Sequence, residues 1–468
     1  MSRAVAAALL GVAVVCGFVG LRSEGAASGG SSTALATPLW SVRRAPQPVV
    51  EAVGAQRLQA ALDDELGAGQ SCVLATDGSG VLAQRDPGAA FIPASTEKLL
   101  TAAAILDVLG PDFQYETPVV ATAAPENSAV DRLWLVGSGD PGLSTDAFLA
   151  LVAGDRESTG TVTTPLAGLA DAIVAAGVRS IPGGIMGDDS RYDTERYLPT
   201  WKDTYRTDGQ VGPLGALTVD HGFRAFKPRP VPVDDPALFA AQQLTELLRA
   251  RGVTVGEPGH QTAPQGAVQV ASVKSPPLRD LVGSFLSVSD NLAGELFTRE
   301  LGVQVAKAGT TAAGTRVTLD RLGALGVPLD GVNLVDGSGL DRGNRLTCTA
   351  LWWTLRLGTE PRFAALWDGL SIAGQRGTLA DEYGGSALNG VLRGKTGSLD
   401  GVTGFVALVD RDRDLRFAFL ANGEFSETGG TEFRNRVAEA IGRFPDAPTA
   451  DALVPAPAAA PAPPAAGG

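Results

Sequence analysis

The chain of 468 residues is 44% hydrophobic and rich in turn formers, with 59 Gly and 30 Pro, a composition of two or three globular domains rather than of a fibre or coiled coil. With 38 basic against 51 acidic side chains the net charge is −13, which argues against a nucleic-acid partner, because phosphate backbones select basic surfaces.

Arg3 precedes an uncharged apolar run over residues 4–21, followed by the small-residue stretch Gly25-Ala26-Ala27-Ser28-Gly29-Gly30. Residues 1–30 therefore read as an export signal or an uncleaved signal anchor, since the run is long for a cleaved apolar region and near the lower limit of a membrane span. Any membrane contact is expected through this segment. Cys16 follows Val14-Val15, where a lipoprotein signal needs a small residue, so lipidation is not expected. Past the leader, Cys72 and Cys348 either pair, as exported cysteines often do, or remain two buried thiols.

Residues 31–48 read as a Ser/Thr/Pro-rich spacer. Val53, Leu58, Leu62 and Leu66 then recur at helical spacing, and two apolar runs flank Asp77-Gly78 as in a hairpin. A helix is expected to open around Pro93-Ala94-Ser95-Thr96-Glu97-Lys98 and to stop at Pro111. Residues 117–270 change character: short strands at 132–136, 180–181 and 185–186, many glycines, and a helix over 165–176 with Thr164 as its cap and Pro165 at its first position. That stretch reads as an inserted domain. Helical periodicity returns at 278–297, 311–322 and 347–357. Strands are expected at 389–397, 404–409 and 415–420, the last two paired around the charged turn 410–414. A helix over 432–444 and a disordered Pro/Ala tail over 446–468 end the chain. The fold class is thus α/β (α+β), with one domain from 49–116 and 271–445 interrupted by the insertion.

Three short motifs carry the chemistry. Ser95-Thr96-Glu97-Lys98 sets a hydroxyl and an amine at i and i+3, one face of a helix. By itself it is as well read as a serine capping a helix. Ser289-Asp290-Asn291 and Lys395-Thr396-Gly397 follow in the order S-x-x-K, S-D-N, K-T-G, a trio shared by penicillin-binding proteins and class A β-lactamases. A serine hydroxyl needs a base, and with His221 and His260 the only histidines, a Ser-His-Asp triad has little material. A desolvated Lys98 near a second cation, Lys395, can be that base. Ser289 would pass the proton to the leaving amine, with Asn291 pointing the same way along an extended loop to orient lysine or substrate. Lys395, Thr396, Gly397 and Ser398 would bind a substrate carboxylate, and the N–H groups of Ser95 and Ser398 would form the oxyanion hole.

From about residue 49 to 444 the chain resembles the DacB-like D-alanyl-D-alanine carboxypeptidases and endopeptidases, low-molecular-mass penicillin-binding proteins. Besides the trio, the similarity includes Gly137-Ser138-Gly139-Asp140-Pro141, Asp336-Gly337-Ser338-Gly339-Leu340-Asp341-Arg342 and Gly374-Gln375-Arg376-Gly377-Thr378-Leu379. The resemblance implies a transpeptidase-like domain, an antiparallel sheet flanked by helices, with the insertion between the nucleophile helix and the S-D-N loop. It implies peptidoglycan stem peptides as substrates and β-lactams as covalent inhibitors; no cofactor is expected, and no cluster of His, Cys and carboxylates in the sequence suggests a metal site. It also implies that Asp203 and Arg342 line a pocket for a diaminoacyl side chain, against plain surface or interface salt bridging, with Leu399 either as its wall or as a core residue. Asp341, where that family usually has serine, and His221, where an asparagine-rich turn is usual, depart from the pattern.

Gly137-Ser138-Gly139-Asp140-Pro141-Gly142 formally fits a dinucleotide fingerprint, but Pro141 interrupts the turn. Glu97, Asp290 and the 410–414 run read as solvated charges, Asp290 also as a brace for its loop, and Trp352-Trp353 as core. A low-turnover wall-binding protein and, less favoured given the long insertion, a β-lactamase are the rival readings.

Overall fold

Every strand of the main sheet runs antiparallel to its neighbours, and the first hairpin of the chain joins the last strand. The computed structural model describes residues 47–446 apart from 79, 412 and 413. The expected leader with Cys16, the spacer up to residue 46 and the tail from residue 447 lie outside the described residues.

Helix α1 (Gln47–Leu66) buries Leu58, Leu62 and Leu66, one face at i, i+4 and i+8. Strands β1 (Gln70–Asp77) and β2 (Gly80–Arg85) form the expected hairpin. A 3₁₀ turn (Ala94–Glu97) leads into α2 (Lys98–Leu109), which ends at Gly110, φ 79°, just before Pro111.

The next segment builds a second sheet from β3 (Glu116–Ala121), β4 (Leu133–Val136), β5 (Ile185–Asp188), β6 (Gly259–His260) and β7 (Val268–Lys274), in the order β6-β5-β4-β3-β7. Pairs β6-β5 and β5-β4 are parallel, the other two antiparallel. Helices α3 (Asp146–Ala153), α4 (Leu166–Ala175), α5 (Asp203–Thr207) and α6 (Pro236–Ala250) accompany it. Thr164 does not cap α4. It pairs with Leu143-Ser144 as a short strand, its N–H bonded to Gly142 O at 2.7 Å, and the extended Pro165 precedes the first helical residue.

Helices α7 (Leu278–Val288) and α8 (Asn291–Leu301) share one apolar period but are broken at Ser289, φ 60°. They are followed by α9 (Thr311–Ala324), α10 (Cys348–Leu357), β8 (Ser371–Ile372), β9 (Leu392–Leu399), β10 (Val402–Asp410), β11 (Asp414–Asn422) and α11 (Glu427–Gly442). The main sheet has the order β8-β9-β10-β11-β1-β2. Along β10, Phe405, Ala407 and Val409 face a core with α1 and α11, while Val406 and Leu408 face a core with α2, α7, α8 and α10. Both faces are therefore dry, which is why β10 and β11 read as nearly unbroken apolar runs. Cys72 on β1 and Cys348 on α10 are joined as a disulfide, Cα–Cα 6.0 Å, within that second core. Residues Ala52–Asp446 form one compact unit. Among the described residues no helix is long and apolar enough to cross a membrane.

Candidate active site

Ser95 caps nothing: it sits in the 3₁₀ turn ahead of α2, which has no side-chain cap. Lys98, the first residue of α2, is fully buried, and its Nζ lies 2.7 Å from Ser95 Oγ, 2.6 Å from Asn291 Oδ1 and 2.6 Å from the Ser338 carbonyl. Burial pulls its pKa down to about 8, against the opposing pull of Asp336 and Asp290. Two of its three partners can only accept, whereas the serine hydroxyl can donate. A neutral Lys98 thus gives its two N–H bonds to Asn291 and Ser338 and turns its lone pair on Ser95.

The break between α7 and α8 delivers the next two residues. Ser289 is left-handed rather than extended, and Asn291 already belongs to α8, whose cap is Asp290 accepting from Ala293 N at 3.1 Å. The extended loop expected here is thus a helix-to-helix corner, yet both side chains arrive at lysines. Lys395 Nζ donates to Ser289 Oγ at 2.9 Å and to Thr396 O at 2.9 Å. Asn291 Nδ2 donates to Gln210 O at 2.8 Å, which fixes its amide with Oδ1 toward Lys98. Lys395 is fully buried; burial first, then the neighbouring Lys98 and Arg434, hold its pKa well below the usual lysine range.

Strand β9 runs directly against the serine turn. A Cβ on Gly397 would stand 2.6 Å from Pro93 O and 3.0 Å from Thr96 N, so only glycine allows this approach. Thr396 Oγ1 bonds Thr378 Oγ1 at 2.8 Å, and Ser398, half-buried, follows on the same strand. Leu399 is buried with Trp201, Tyr205 and Leu340. Asp203 is exposed at the start of α5, while Arg342 Nη1 donates to the Asp400 carbonyl at 2.9 Å. Among the described residues no ion pair joins Asp203 to Arg342. Asp341 is a turn-former, accepting from Gly343 N at 2.7 Å and from the Thr200 hydroxyl.

Glu97 is not a solvated charge. It is fully buried, and neither carboxyl oxygen has a hydrogen-bond partner. Burial, then Asp336 and Glu295, push its pKa well above the ordinary carboxyl range. Glu295, also fully buried, accepts from Gly337 N at 3.0 Å and is pushed up to about 8 by burial and by Asp336. Asp336, raised mainly by burial, takes N–H bonds from Gly339, Asp341 and Trp201 Nε1, the last at 2.8 Å. Asp290 is also mostly buried, its side chain 12% exposed. Sequence reasoning missed Glu97, Glu295 and Asp336 as parts of the site. The signal for Glu97 lay in residues 98–106, which are apolar almost all round, the mark of a helix with no solvent face. Among the described residues no group of three or more His, Cys, Asp or Glu has an arrangement fit for a metal ion.

Similarity to known proteins follows this geometry. The family described as D-Ala-D-Ala carboxypeptidase 3 (S13) matches residues 55–230 and 224–443. A D-alanyl-D-alanine carboxypeptidase of Actinomadura sp. (strain R39) is 30% identical over 422 residues, 73% of this chain and 75% of the relative. A carboxypeptidase of Mycobacterium tuberculosis is 33% identical over 354 residues, 72% of this chain and 73% of the relative. The crystal structure of penicillin binding protein 4 (dacB) from Haemophilus influenzae superposes with a TM-score of 0.67 at 20% identity, covering 81% of this chain and 98% of that one. Fold and sequence agree, and the chain belongs to the D-Ala-D-Ala carboxypeptidase 3 (S13) family.

Proposed function

We propose that the chain is a serine D,D-peptidase that hydrolyses the terminal D-Ala-D-Ala bond of peptidoglycan stem peptides through an ester on Ser95, and that β-lactams acylate the same oxygen. The observation that carries this reading is the buried Lys98, 2.7 Å from Ser95 Oγ, with carbonyl oxygens on its other two sides. Neutral Lys98 takes the Ser95 proton as Oγ bonds the carbonyl carbon of the penultimate D-alanine, and the carbonyl electron pair moves onto oxygen. The N–H groups of Ser95 and Ser398 receive that charge. On collapse the C–N bond breaks, and Ser289, whose Oγ accepts from Lys395, hands its proton to the leaving amine and recovers one from Lys98. Water then attacks the ester, with Lys98 as base again. Lys395, Thr396, Gly397 and Ser398 form the edge that holds the substrate carboxylate.

Cleavage of D-Ala-diaminoacyl cross-links belongs to the same proposal. Asp203 would meet the ammonium and Arg342 the carboxylate of a diaminoacyl side chain, with Leu399 as the wall. Export is part of it too, supported by the apolar run at 4–21 and by the Cys72–Cys348 disulfide, which belongs in an oxidising compartment. Monomeric and dimeric muropeptides incubated with wild type and Ser95→Ala test the reading: wild type releases D-alanine and takes up one penicillin per chain, and Ser95→Ala does neither. If wild type cuts neither substrate, the enzymatic reading fails.

A further inference from the structure

A cavity of about 1070 Å³ opens beside the S-D-N loop and meets the reacting site at Ser289 and Asn291, while the rest of its lining has no part in the chemistry above. It is lined by Ser289, Asp290 and Asn291, by α3, by the segment after α3 and by residues around His221 and Phe226. Rings dominate one wall: Phe148 packs 4.9 Å from His221 and 5.5 Å from Phe226, centroid to centroid. Polar groups share the lining, among them Gln210, Ser158 and Lys227.

This wall is held rigidly and is tied to the catalytic loop. The Asp220 carboxylate accepts from both the N–H and the hydroxyl of Thr145, each at 2.7 Å, which anchors the start of α3 and so Phe148. Asp220 and His221 both have positive φ, 50° and 54°, a strained pair kept in place by those bonds. His221 Nε2 in turn lies 3.5 Å from the carboxylate of Asp290, the cap of the helix that presents Asn291.

We propose that this cavity is a saccharide subsite, taking the amino-sugar end of the same substrate whose D-Ala-D-Ala end reaches Ser95; the inference rests on the reading under Proposed function. Three observations select that occupant. The cavity shares residues with the reacting site, so what fills it is continuous with the substrate. Its volume lies just above the range of about 300–1,000 Å³ usual for small-molecule sites, more than a terminal dipeptide needs. Its lining combines the rings of Phe148, His221 and Phe226 with hydrogen-bonding groups and carries mixed charge, Asp155 and Asp290 against Lys227, which suits a neutral ring with apolar faces and an equatorial fringe of hydroxyls. A nucleotide or an acidic peptide would need a cationic lining instead.

Ser95→Ala protein, which binds without turnover, decides the matter by calorimetry. An amino-sugar disaccharide pentapeptide is expected to bind at least tenfold tighter than the same pentapeptide without sugar. Ala147→Trp, an exposed α3 position that lines the cavity, is expected to fill it and remove that advantage, as is Phe226→Ala, while affinity for the bare peptide stays unchanged. Penicillin acylation of Ser95 in the Ala147→Trp protein should also match wild type, which shows that the variant folds. Equal affinities for the two ligands, or an advantage that survives both substitutions, overturn the proposal. A sugar-free cross-linked dimer that binds best, and loses its advantage in Ala147→Trp, overturns the saccharide assignment. A missing penicillin adduct on the wild-type protein overturns the catalytic reading of Ser95 instead, and the binding comparison still decides the subsite.

Discussion

Lys98 feels four carboxyls, Asp336, Asp290, Glu295 and Glu97, and still has a pKa of about 8, because desolvation outweighs their attraction. Burial also raises the pKa of Glu97, Glu295 and Asp336, and a carboxyl that holds its proton attracts the ammonium less. The rate of penicillin acylation should therefore rise with pH and level off with an apparent pKa near 8, as Lys98 loses its proton. Acylation rates measured from pH 6 to 9 check this, and a flat profile would remove Lys98 as the base. Lys98→Ala should slow acylation by about 10²–10⁴-fold with the fold intact. Glu295 gives a stability signature. Its folded pKa, about 8, lies above the unfolded value, so the folded chain holds a proton that the unfolded chain has lost, and stability falls as pH rises through about 4.5 to 8. Glu295→Gln lacks that slope: its melting temperature should match wild type near pH 5 and exceed it at pH 9. A variant less stable than wild type at both would mean the carboxyl is charged and paired.

At the scale of elements, the corner between α7 and α8 sets the geometry. The apolar period over 278–297 predicts one helical region, and the tripeptide Ser289-Asp290-Asn291 marks the place of the break, but the left-handed turn of Ser289 was not visible: serine adopts φ > 0 only where surrounding contacts impose it. Ser289→Gly separates the two roles of this residue. Glycine accepts the same backbone without strain, so thermal stability should equal or exceed wild type, while loss of the hydroxyl beside Lys395 should cut D-alanine release by at least about 10²-fold. A parallel fall in stability and activity would mean that Ser289 is only structural. The pairing β10-β11 was legible because period and turn residues agree, whereas the Thr164 cap failed because β-pairing with Leu143-Ser144 claimed the residues first.

At the scale of the molecule the two ends of the domain meet inside the sheet, β1 pairing with β11 through seven residue pairs from Gln70↔Asn422 to Thr76↔Arg416. The Cys72–Cys348 bridge ties β1 to α10 across a sequence separation of 276. Replacing both cysteines with alanine should lower stability by about 2–5 kcal/mol, read from denaturant midpoints, because so long a loop restricts the unfolded chain strongly. No change would mean that core packing around α10 suffices without it. The sequence by itself pointed to the family, to most elements outside residues 117–270, and to the five side chains Ser95, Lys98, Ser289, Asn291 and Lys395, since hydrophobic period, turn chemistry and short motifs are local properties of a chain. Only the tertiary structure decided the protonation of the site, the choice between thiols and disulfide, and the burial of Glu97, Glu295 and Asp336. Desolvation and distance depend on what other segments pack against a residue, and the segments that bury Lys98 arrive from residues 193 and 240 positions further along the chain.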